Sequence, residues 1–225
     1  MLFVDSCDPL AVQEIFAMGI ARGVTTNPLI LAKRSKELGP ADTLDVLRHL
    51  VSVVEAAPQA EFVAVFAQLT ASSESAMIDQ AVYYQDNVGH RLGIKVPFSE
   101  VGLRVATRLR AKSFTVNLTS VMTVSQAYVA AQTGAQYVSL FFGRIADQGF
   151  DATETIRDAR QLLTNEPALQ TQIIVGSIRQ PRDVMSALHA GAHIVTASPD
   201  ILKKLLQNPG TEAVNAEFQA AAKAT

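Results

Sequence analysis

Short apolar runs alternate with longer amphipathic stretches along the whole chain. Several short runs are nearly continuous in Val, Ile, Phe and Ala, which is typical of parallel strands buried on both faces. Eight such strands separated by helices predict a closed parallel barrel of the α/β class. The predicted strands are Leu2–Asp5, Gly23–Thr26, Phe62–Leu69, Leu92–Val96, Ser113–Leu118, Tyr137–Phe142, Gln172–Ser177 and His193–Ala197.

The amphipathic stretches carry apolar residues at the three- and four-residue spacing of helices. The predicted helices are Pro9–Gly19, Ala41–Glu55, Ser73–Asn87, Ser99–Arg110, Ser120–Thr133, Thr153–Leu163 and Pro181–Ala190. Ser73, Ser99 and Ser120 are predicted N-caps, because a serine hydroxyl accepts an N–H from the first turn. We interpret Lys33–Pro40 as a surface loop. The Ala-rich tail Gly210–Thr225 is predicted to be a helix that packs on the barrel or on a neighbouring subunit.

The chain length fits one domain of this kind. The 225 residues predict a single (β/α)8 TIM barrel over 1–225 with a C-terminal helical tail, since such barrels need about 200–250 residues. With 48% hydrophobic residues and no Trp, the core must be largely aliphatic. An open doubly wound sheet is the second interpretation of the same strand and helix order.

Charge and cysteine content exclude several classes of function. The formal net charge of -2 and the scattered basic residues argue against a nucleic-acid partner. Cys7 is the single cysteine and has no obvious histidine partner in sequence, so we interpret it as a packing residue. The sequence has neither a signal-peptide pattern nor an apolar run of about 18 residues. These features predict a cytoplasmic protein with no membrane partner.

Polar residues at the carboxyl ends of the apolar runs are the candidates for an active site, because barrel enzymes place their active sites at those ends. The histidines and Cys7 lack metal-ligand spacing, and no P-loop or glycine-rich dinucleotide motif is present. We therefore predict no metal and no cofactor, and the chemistry must come from side chains. The candidates are Asp5, Thr26, Asn27, Gln68, Lys95, Asn117, Thr119, Ser139, Arg144, Ser177 and Arg179.

Lys95 is the most informative of these residues, because it lies within the apolar strand Leu92–Pro97. A desolvated lysine loses its proton more easily, and the neutral amine forms Schiff bases with carbonyls. The competing interpretation is a structural ion pair, for which Asp5 is a candidate partner. Asp5 itself suits a general base, with a helix N-cap as the alternative.

Two arginines late in the chain suit an anionic substrate group. Arg144 and Arg179 each follow a strand end, and Ser177 lies between them in sequence. Such a set binds phosphate-like groups well, and barrels often bind phosphate near their last strands. Ordinary surface ion pairs are the alternative interpretation.

Three motifs in this order resemble the transaldolase family, especially its short, fructose-6-phosphate aldolase-like members. They are Gly23–Val24–Thr25–Thr26–Asn27–Pro28, Ile94–Lys95–Val96–Pro97 and Phe141–Phe142–Gly143–Arg144–Ile145. The resemblance covers nearly the whole chain. It implies a class I aldolase-type barrel that needs no cofactor, and a homo-oligomer such as a pentamer or decamer.

The resemblance also implies a role for each matching residue. Lys95 matches the Schiff-base lysine and Asp5 the carboxylate that takes the proton from the C4 hydroxyl of the sugar. Thr119 and Gln68 match residues around a catalytic water. The implied substrate-binding residues are Thr26, Asn27, Asn117, Ser139 and Phe141, with Arg144, Ser177 and Arg179 as the phosphate-binding set.

Two positions bear on the subtype and disagree. Gln68 stands where long-chain transaldolases have glutamate, as in the fructose-6-phosphate aldolases, whereas Phe141 stands where those aldolases have tyrosine, as in transaldolases. Glutamine cannot exchange a proton with water, and phenylalanine cannot donate one. An enamine on Lys95 should therefore survive until a second aldehyde captures it, which favours a transaldolase.

The predicted reaction transfers a dihydroxyacetone unit from an anionic ketose, by default fructose 6-phosphate, to an aldehyde. Three alternatives remain open. The first is an aldolase that releases free dihydroxyacetone, and the second is a transaldolase for a sulfonated ketose. The third is a barrel that binds sugar phosphates without turning them over.

Overall fold

Eight parallel strands form a closed barrel in the computed structural model, which describes residues 1–39, 41–61 and 64–223. Each strand pairs with the next in chain order, and the first pairs with the last. The strands are β1 Leu2–Asp5, β2 Gly23–Thr25, β3 Val65–Gln68, β4 Leu92–Pro97, β5 Val116–Val121, β6 Tyr137–Phe141, β7 Gln172–Gly176 and β8 Ile194–Ala197. The predicted (β/α)8 barrel is confirmed.

Helices follow the strands and cover the outside of the barrel. Within the described residues they are α1 Pro9–Ala17, α2 Pro28–Leu38, α3 Thr43–Glu55, α4 Glu74–Val88, α5 Glu100–Ala111, α6 Val124–Gln132, α7 Phe142–Asp147, α8 Ala152–Thr164, α9 Pro181–His189, α10 Pro199–Lys204 and α11 Pro209–Lys223. Ser73 and Ser99 accept N–H groups of the first turns of α4 and α5, as predicted. No helix in the described part of the chain is long and apolar enough to cross a membrane.

The prediction of a surface loop over Lys33–Pro40 is wrong for most of that segment. Helix α2 continues to Leu38, and Pro40 lies outside the described residues. Its first turn is well specified, because the Asn27 side chain accepts the N–H groups of Leu29 and Ile30, and Pro28 occupies the first helical position. The cluster of charged residues in the second half of α2 hides this helix from an analysis of apolar spacing.

The predicted cap Ser120 is also wrong. Thr123 caps α6, whose first residue is Val124. Ser120 lies in β5 instead, with φ of 68° at an irregularity in the pairing of β5 with β6. Strand β5 is shifted by three residues from the predicted Ser113–Leu118, and the first two residues of the predicted Phe62–Leu69 strand lie outside the described residues.

Helix α11 carries no buried residue, although it forms as predicted. Every described residue from 206 to 223 is exposed, including Val214 at 44% and Phe218 at 69%. Helix α11 therefore does not fold back onto the barrel.

The interior of the barrel has an apolar layer near the amino ends of the strands, which we call the barrel floor: Phe3, Phe66, Tyr137, Ile174 and Ile194. The Phe66 ring contacts the Phe3 and Tyr137 rings, with centroids 6.2 and 5.3 Å apart. Because strand residues two apart share a face, the next inward positions form a second layer nearer the carboxyl ends. That layer is mostly polar: Asp5, Gln68, Ser139 and Thr196.

The Phe66 ring of the barrel floor occupies the space that a side chain at position 93 would fill, so this position requires glycine. A Cβ at Gly93 would lie 2.4 Å from Cε1 of Phe66, whose side chain is fully buried and held between two other rings. We therefore expect Gly93→Ala to lower the free energy of unfolding by about 1–3 kcal/mol, the range for overpacked cores. Denaturant unfolding followed by circular dichroism measures this.

Gly176→Ala is the matched control on β7. A Cβ there would meet Cγ2 of Thr196 at 3.4 Å, an ordinary contact, so its unfolding midpoint should stay close to that of the unmodified protein. Equal stability of the two variants would contradict the prediction, because it would show that the floor residues shift to accommodate the added methyl group.

Candidate active site

A cavity of about 610 Å³ lies at the carboxyl ends of the strands. Its volume is in the range of sites for small ligands. The predicted site residues in its wall are Asp5, Asn27, Gln68, Lys95, Ser139, Phe141, Arg144 and Ser177. The other wall residues are Thr25, Pro28, Leu29, Ile30, Lys33, Ser120, Met122, Gly176 and Thr196.

Lys95 lies on the inner wall of the barrel and is only 4% exposed. Its Nζ donates a hydrogen bond to the carbonyl oxygen of Thr26 at 2.8 Å. No ion pair found among the described residues includes Lys95, so the structural alternative of a close pair with Asp5 is not supported. Burial lowers the pKa of Lys95, and attraction to Asp5 partly opposes that shift. The site therefore favours a neutral, nucleophilic amine.

Asp5 faces the same cavity from the end of β1. Its Oδ1 accepts a hydrogen bond from Oγ1 of Thr25 at 2.7 Å, and Thr25 also bonds Oγ1 of Thr196 at 2.6 Å. Burial raises the pKa of Asp5, while Lys95 and the Thr25 hydroxyl pull it down. Asp8, not Asp5, caps α1. Asp5 is thus left without a capping role and suits proton transfer.

Asn117 and Thr119 on β5 each carry a buried polar atom without a partner among the described residues. Asn117 is in register with Lys95 on the neighbouring strand, and its Oδ1 accepts from the Ser139 hydroxyl at 3.0 Å. Its Nδ2 and the Thr119 Oγ1 are fully buried without a hydrogen bond among the described residues. Unpaired buried polar atoms are costly, so they indicate a place where a water or a ligand group binds.

Gln68 and the residues after β2 surround the lysine from the other side. Gln68 pairs in register with Lys95 and lies in the cavity wall. Thr26 lies outside the wall, and its hydroxyl donates to the Phe66 carbonyl at 2.9 Å, so its contact with the site is through its own carbonyl. The Oδ1 of Asn27 is used in capping α2, which leaves its NH2 group for a ligand.

Only part of the predicted anion-binding set reaches the cavity. Arg144 on α7 and Ser177 after β7 lie in the wall, and Ser177 has φ of 58°. Arg179 does not line the cavity. Its Nη1 donates to Oδ1 of Asp147 at 2.7 Å, and its Nη2 bonds the other carboxylate oxygen.

Lys33 is the main wall residue that the sequence interpretation missed. It lies on α2, in the segment predicted as a loop, and it also pairs with Glu37 at 3.7 Å. The Asn27–Pro28 pair could have revealed it, because a capping residue before proline marks the start of a helix. A helix that starts directly after β2 places Lys33, in its second turn, near the carboxyl ends of the strands.

Cys7 is a packing residue, as predicted. It is buried, and its Sγ–H donates to the Ile30 carbonyl at 3.3 Å. Burial raises the pKa of its thiol to about 11. Among the described residues, no group of three or more His, Cys, Asp and Glu side chains is placed to hold a metal ion.

Comparison with known proteins gives one family and several similar sequences. Residues 2–225 match the model of the family described as transaldolase/fructose-6-phosphate aldolase. A probable transaldolase of Nitrosopumilus maritimus is 34% identical over 94% of the chain and 89% of its own length. Probable transaldolases of Symbiobacterium thermophilum and Paracoccus denitrificans are each 33% identical, over 94% and 96% of the chain and 91% and 95% of their own lengths.

The Asp5 carboxylate should control the titration of Lys95. A negative charge nearby favours the ammonium form and so raises the pKa of Lys95, and Asp5→Asn removes that charge. We therefore expect Lys95 to become reactive at a lower pH in this variant. Reductive methylation with formaldehyde and cyanoborohydride, followed by peptide mass spectrometry across a pH series, measures the shift.

Asp200→Asn is the matched control, since it removes an exposed acid instead. The exposed Lys112 serves as an internal reference in every sample. An identical Lys95 profile in Asp5→Asn and the unmodified protein would mean that Asp5 carries no charge beside the amine.

Proposed function

Since the chain belongs to the transaldolase/fructose-6-phosphate aldolase family, we propose that it transfers a dihydroxyacetone unit from an anionic ketose to an aldehyde through a Schiff base on Lys95. Fructose 6-phosphate is the default donor. The observation that carries this proposal is the buried Lys95 amine, which faces the cavity beside Asp5 and has a lowered pKa.

The reaction begins when the neutral Lys95 amine attacks the C2 carbonyl of the ketose. Loss of water from the carbinolamine then gives the iminium ion, and this step needs protons delivered to the departing hydroxyl. Gln68 and Thr119 are suited to hold the water that relays them. The unpaired Oγ1 of Thr119 and Nδ2 of Asn117 support a bound water or substrate hydroxyl at this place.

Carbon–carbon bond cleavage requires a base for the C4 hydroxyl. Asp5 takes that proton, the C4–O bond becomes the carbonyl of the departing aldehyde, and the C3–C4 electron pair forms a C2–C3 double bond while the π pair of the iminium group returns to nitrogen. The dihydroxyacetone unit remains on Lys95 as an enamine. The Thr25 hydroxyl supports this role by donating to one oxygen of Asp5, which leaves the other for the substrate, and the Thr196 hydroxyl in turn bonds that of Thr25.

The terminal anion of the donor is assigned to the Arg144 side of the cavity. Arg144 and Ser177 both lie in the wall and follow β6 and β7, whereas Asp5 and Lys95 belong to β1 and β4. A guanidinium and a hydroxyl bind phosphate or sulfonate equally well by type, so a sulfonated ketose is a second possible donor.

Transfer is favoured over release by the residues around the enamine. Release of free dihydroxyacetone needs a proton on C3 of the enamine followed by hydrolysis. Phe141 lies in the cavity wall and has no proton to give, and Gln68 cannot act as an acid. The enamine should therefore wait for an aldehyde acceptor, after which the steps reverse. The aldolase remains the second candidate, because Gln68 stands where the fructose-6-phosphate aldolases also have glutamine and long-chain transaldolases have glutamate.

Assembly into a ring of five or ten subunits stays a prediction. The exposed face of α11, with Val214 and Phe218, is compatible with contact to a neighbouring subunit.

The Schiff base is tested by borohydride reduction in the presence of fructose 6-phosphate. We expect a stable adduct of the dihydroxyacetone unit or of the whole sugar on the peptide that carries Lys95, because reduction converts the iminium ion into a secondary amine. Peptide mass spectrometry locates the adduct.

Two variants make this test specific. Lys95→Met should abolish the adduct, whereas Lys33→Met, which removes the other amine of the cavity wall, should retain it. An adduct that follows Lys33, or none at Lys95 despite measured binding of the sugar, would contradict the mechanism and favour a barrel that only binds.

Phe141→Tyr tests the choice between transfer and release. A phenol in the cavity wall supplies the missing proton donor, and positioned acids typically contribute about 10²–10⁴-fold. We expect free dihydroxyacetone formed without an acceptor to rise at least about tenfold. Chromatographic product analysis measures it.

Phe142→Tyr is the neighbouring control, because Phe142 does not line the cavity. If the unmodified protein already releases dihydroxyacetone as fast as it transfers it, the aldolase candidate is the correct one.

A further inference from the structure

The Arg179 guanidinium lies beside the start of α7, next to Arg144. The Gly143 N–H donates to the Ser177 carbonyl at 3.0 Å, which joins this helix to the segment after β7. A Cβ at Gly143 would lie 2.6 Å from Nε of Arg179, so the guanidinium lies directly against the glycine backbone. Arg179 is thus adjacent to the proposed anion-binding wall without being part of it.

Asp147 binds this guanidinium through both carboxylate oxygens. The two side chains are about half exposed, at 54% and 50%. Asp147 is three residues after Arg144 on α7, a spacing that puts both on one helix face. Hydrogen bonds from Arg179 lower the pKa of Asp147, and Arg144 adds a smaller attraction. The three side chains together carry one net positive charge.

The pairing removes Arg179 as a ligand for any anion in the cavity. Its two terminal nitrogens are engaged by the carboxylate, and the remaining charge at the wall is that of Arg144. Half-exposed ion pairs contribute little stability, so an incoming anion can break this one at low cost. The backbone of Arg179 is held meanwhile, because its N–H and that of Gln180 donate to Asp183 at 3.1 Å.

We propose that Asp147 competes with the terminal anion of the substrate for Arg179, and so sets how tightly the site holds that anion. The inference rests on the proposed function, since it assigns the anion to the Arg144 wall. Without substrate, Arg179 binds Asp147. When a phosphate group occupies the wall, the Arg179 side chain exchanges the carboxylate for the phosphate. Asp147 then regains Arg179 as the product leaves.

Ligand binding to variants that cannot turn over tests this proposal. Fructose 6-phosphate and inorganic phosphate are titrated calorimetrically into Lys95→Met with and without Asp147→Asn. We expect both ligands to bind about three- to fivefold more tightly in the double variant, since the weak exposed pair no longer has to be broken before the anion binds. Neutral fructose should bind equally to both, and the gain should shrink in high salt.

Two further variants show whether the effect passes through Arg179. Asp158→Asn removes an exposed acid from α8 in the same background and should leave both dissociation constants unchanged. In an Arg179→Met background, Asp147→Asn should gain clearly less than it does with Arg179 present, as a double-mutant cycle requires for coupled residues.

The outcomes separate this inference from the proposed function. Unchanged or weaker binding of both anions in Asp147→Asn would overturn the competition. Tighter binding of inorganic phosphate while fructose 6-phosphate fails to bind would support the competition and overturn the proposed donor. Failure of both ligands to bind any variant would overturn both.

Discussion

The burial of one amine on the inner wall of a closed barrel is the constraint on which the rest of the site depends. An ammonium ion removed from water is costly, so a lysine that is 4% exposed is driven toward its neutral form. That effect needs a floor that keeps water out from below. It also needs neighbours that do not stabilise the ammonium form through a close ion pair. The aromatic floor meets the first need, and the second is met because no ion pair found among the described residues includes Lys95.

Because strand residues two apart face the same side, one strand can supply both a residue of the stabilising floor and a residue of the candidate active site. Phe3 and Asp5 belong to the same strand, as do Phe66 and Gln68, or Gly93 and Lys95. In each pair the first residue forms or accommodates the floor, and the second faces the cavity. The groups proposed to bind the anion are different, because Arg144 and Ser177 come from segments after the strands. The proposed covalent chemistry therefore rests on rigid elements, whereas the proposed recognition of the substrate rests on connecting segments, as is usual in such barrels.

Most of the barrel was predictable because buried parallel strands have continuous apolar runs and the helices between them have a regular period. Lys95 was predictable for a related reason, since a single charge inside such a run is conspicuous. Helix α2 was not, because Lys33, Arg34, Lys36 and Glu37 obscure its apolar side. The pairing of Arg179 with Asp147 was equally hidden, because the two residues are 32 positions apart and meet only once β7 lies beside β6. The left-handed backbone of Ser120 reflects strand pairing that no local pattern contains.

The burial of Cys7 has a consequence for chemical selectivity. Aldehydes add readily to thiolates, and a reactive thiolate two residues from Asp5 would divert them into hemithioacetals. Burial raises the pKa of this thiol to about 11, whereas it lowers the pKa of Lys95. The same loss of solvation acts in opposite directions because the charged form of cysteine is the deprotonated one and that of lysine is the protonated one. Burial thus makes the sulfur less reactive and the nitrogen more reactive, and under the proposed function an electrophilic substrate would react at the nitrogen alone.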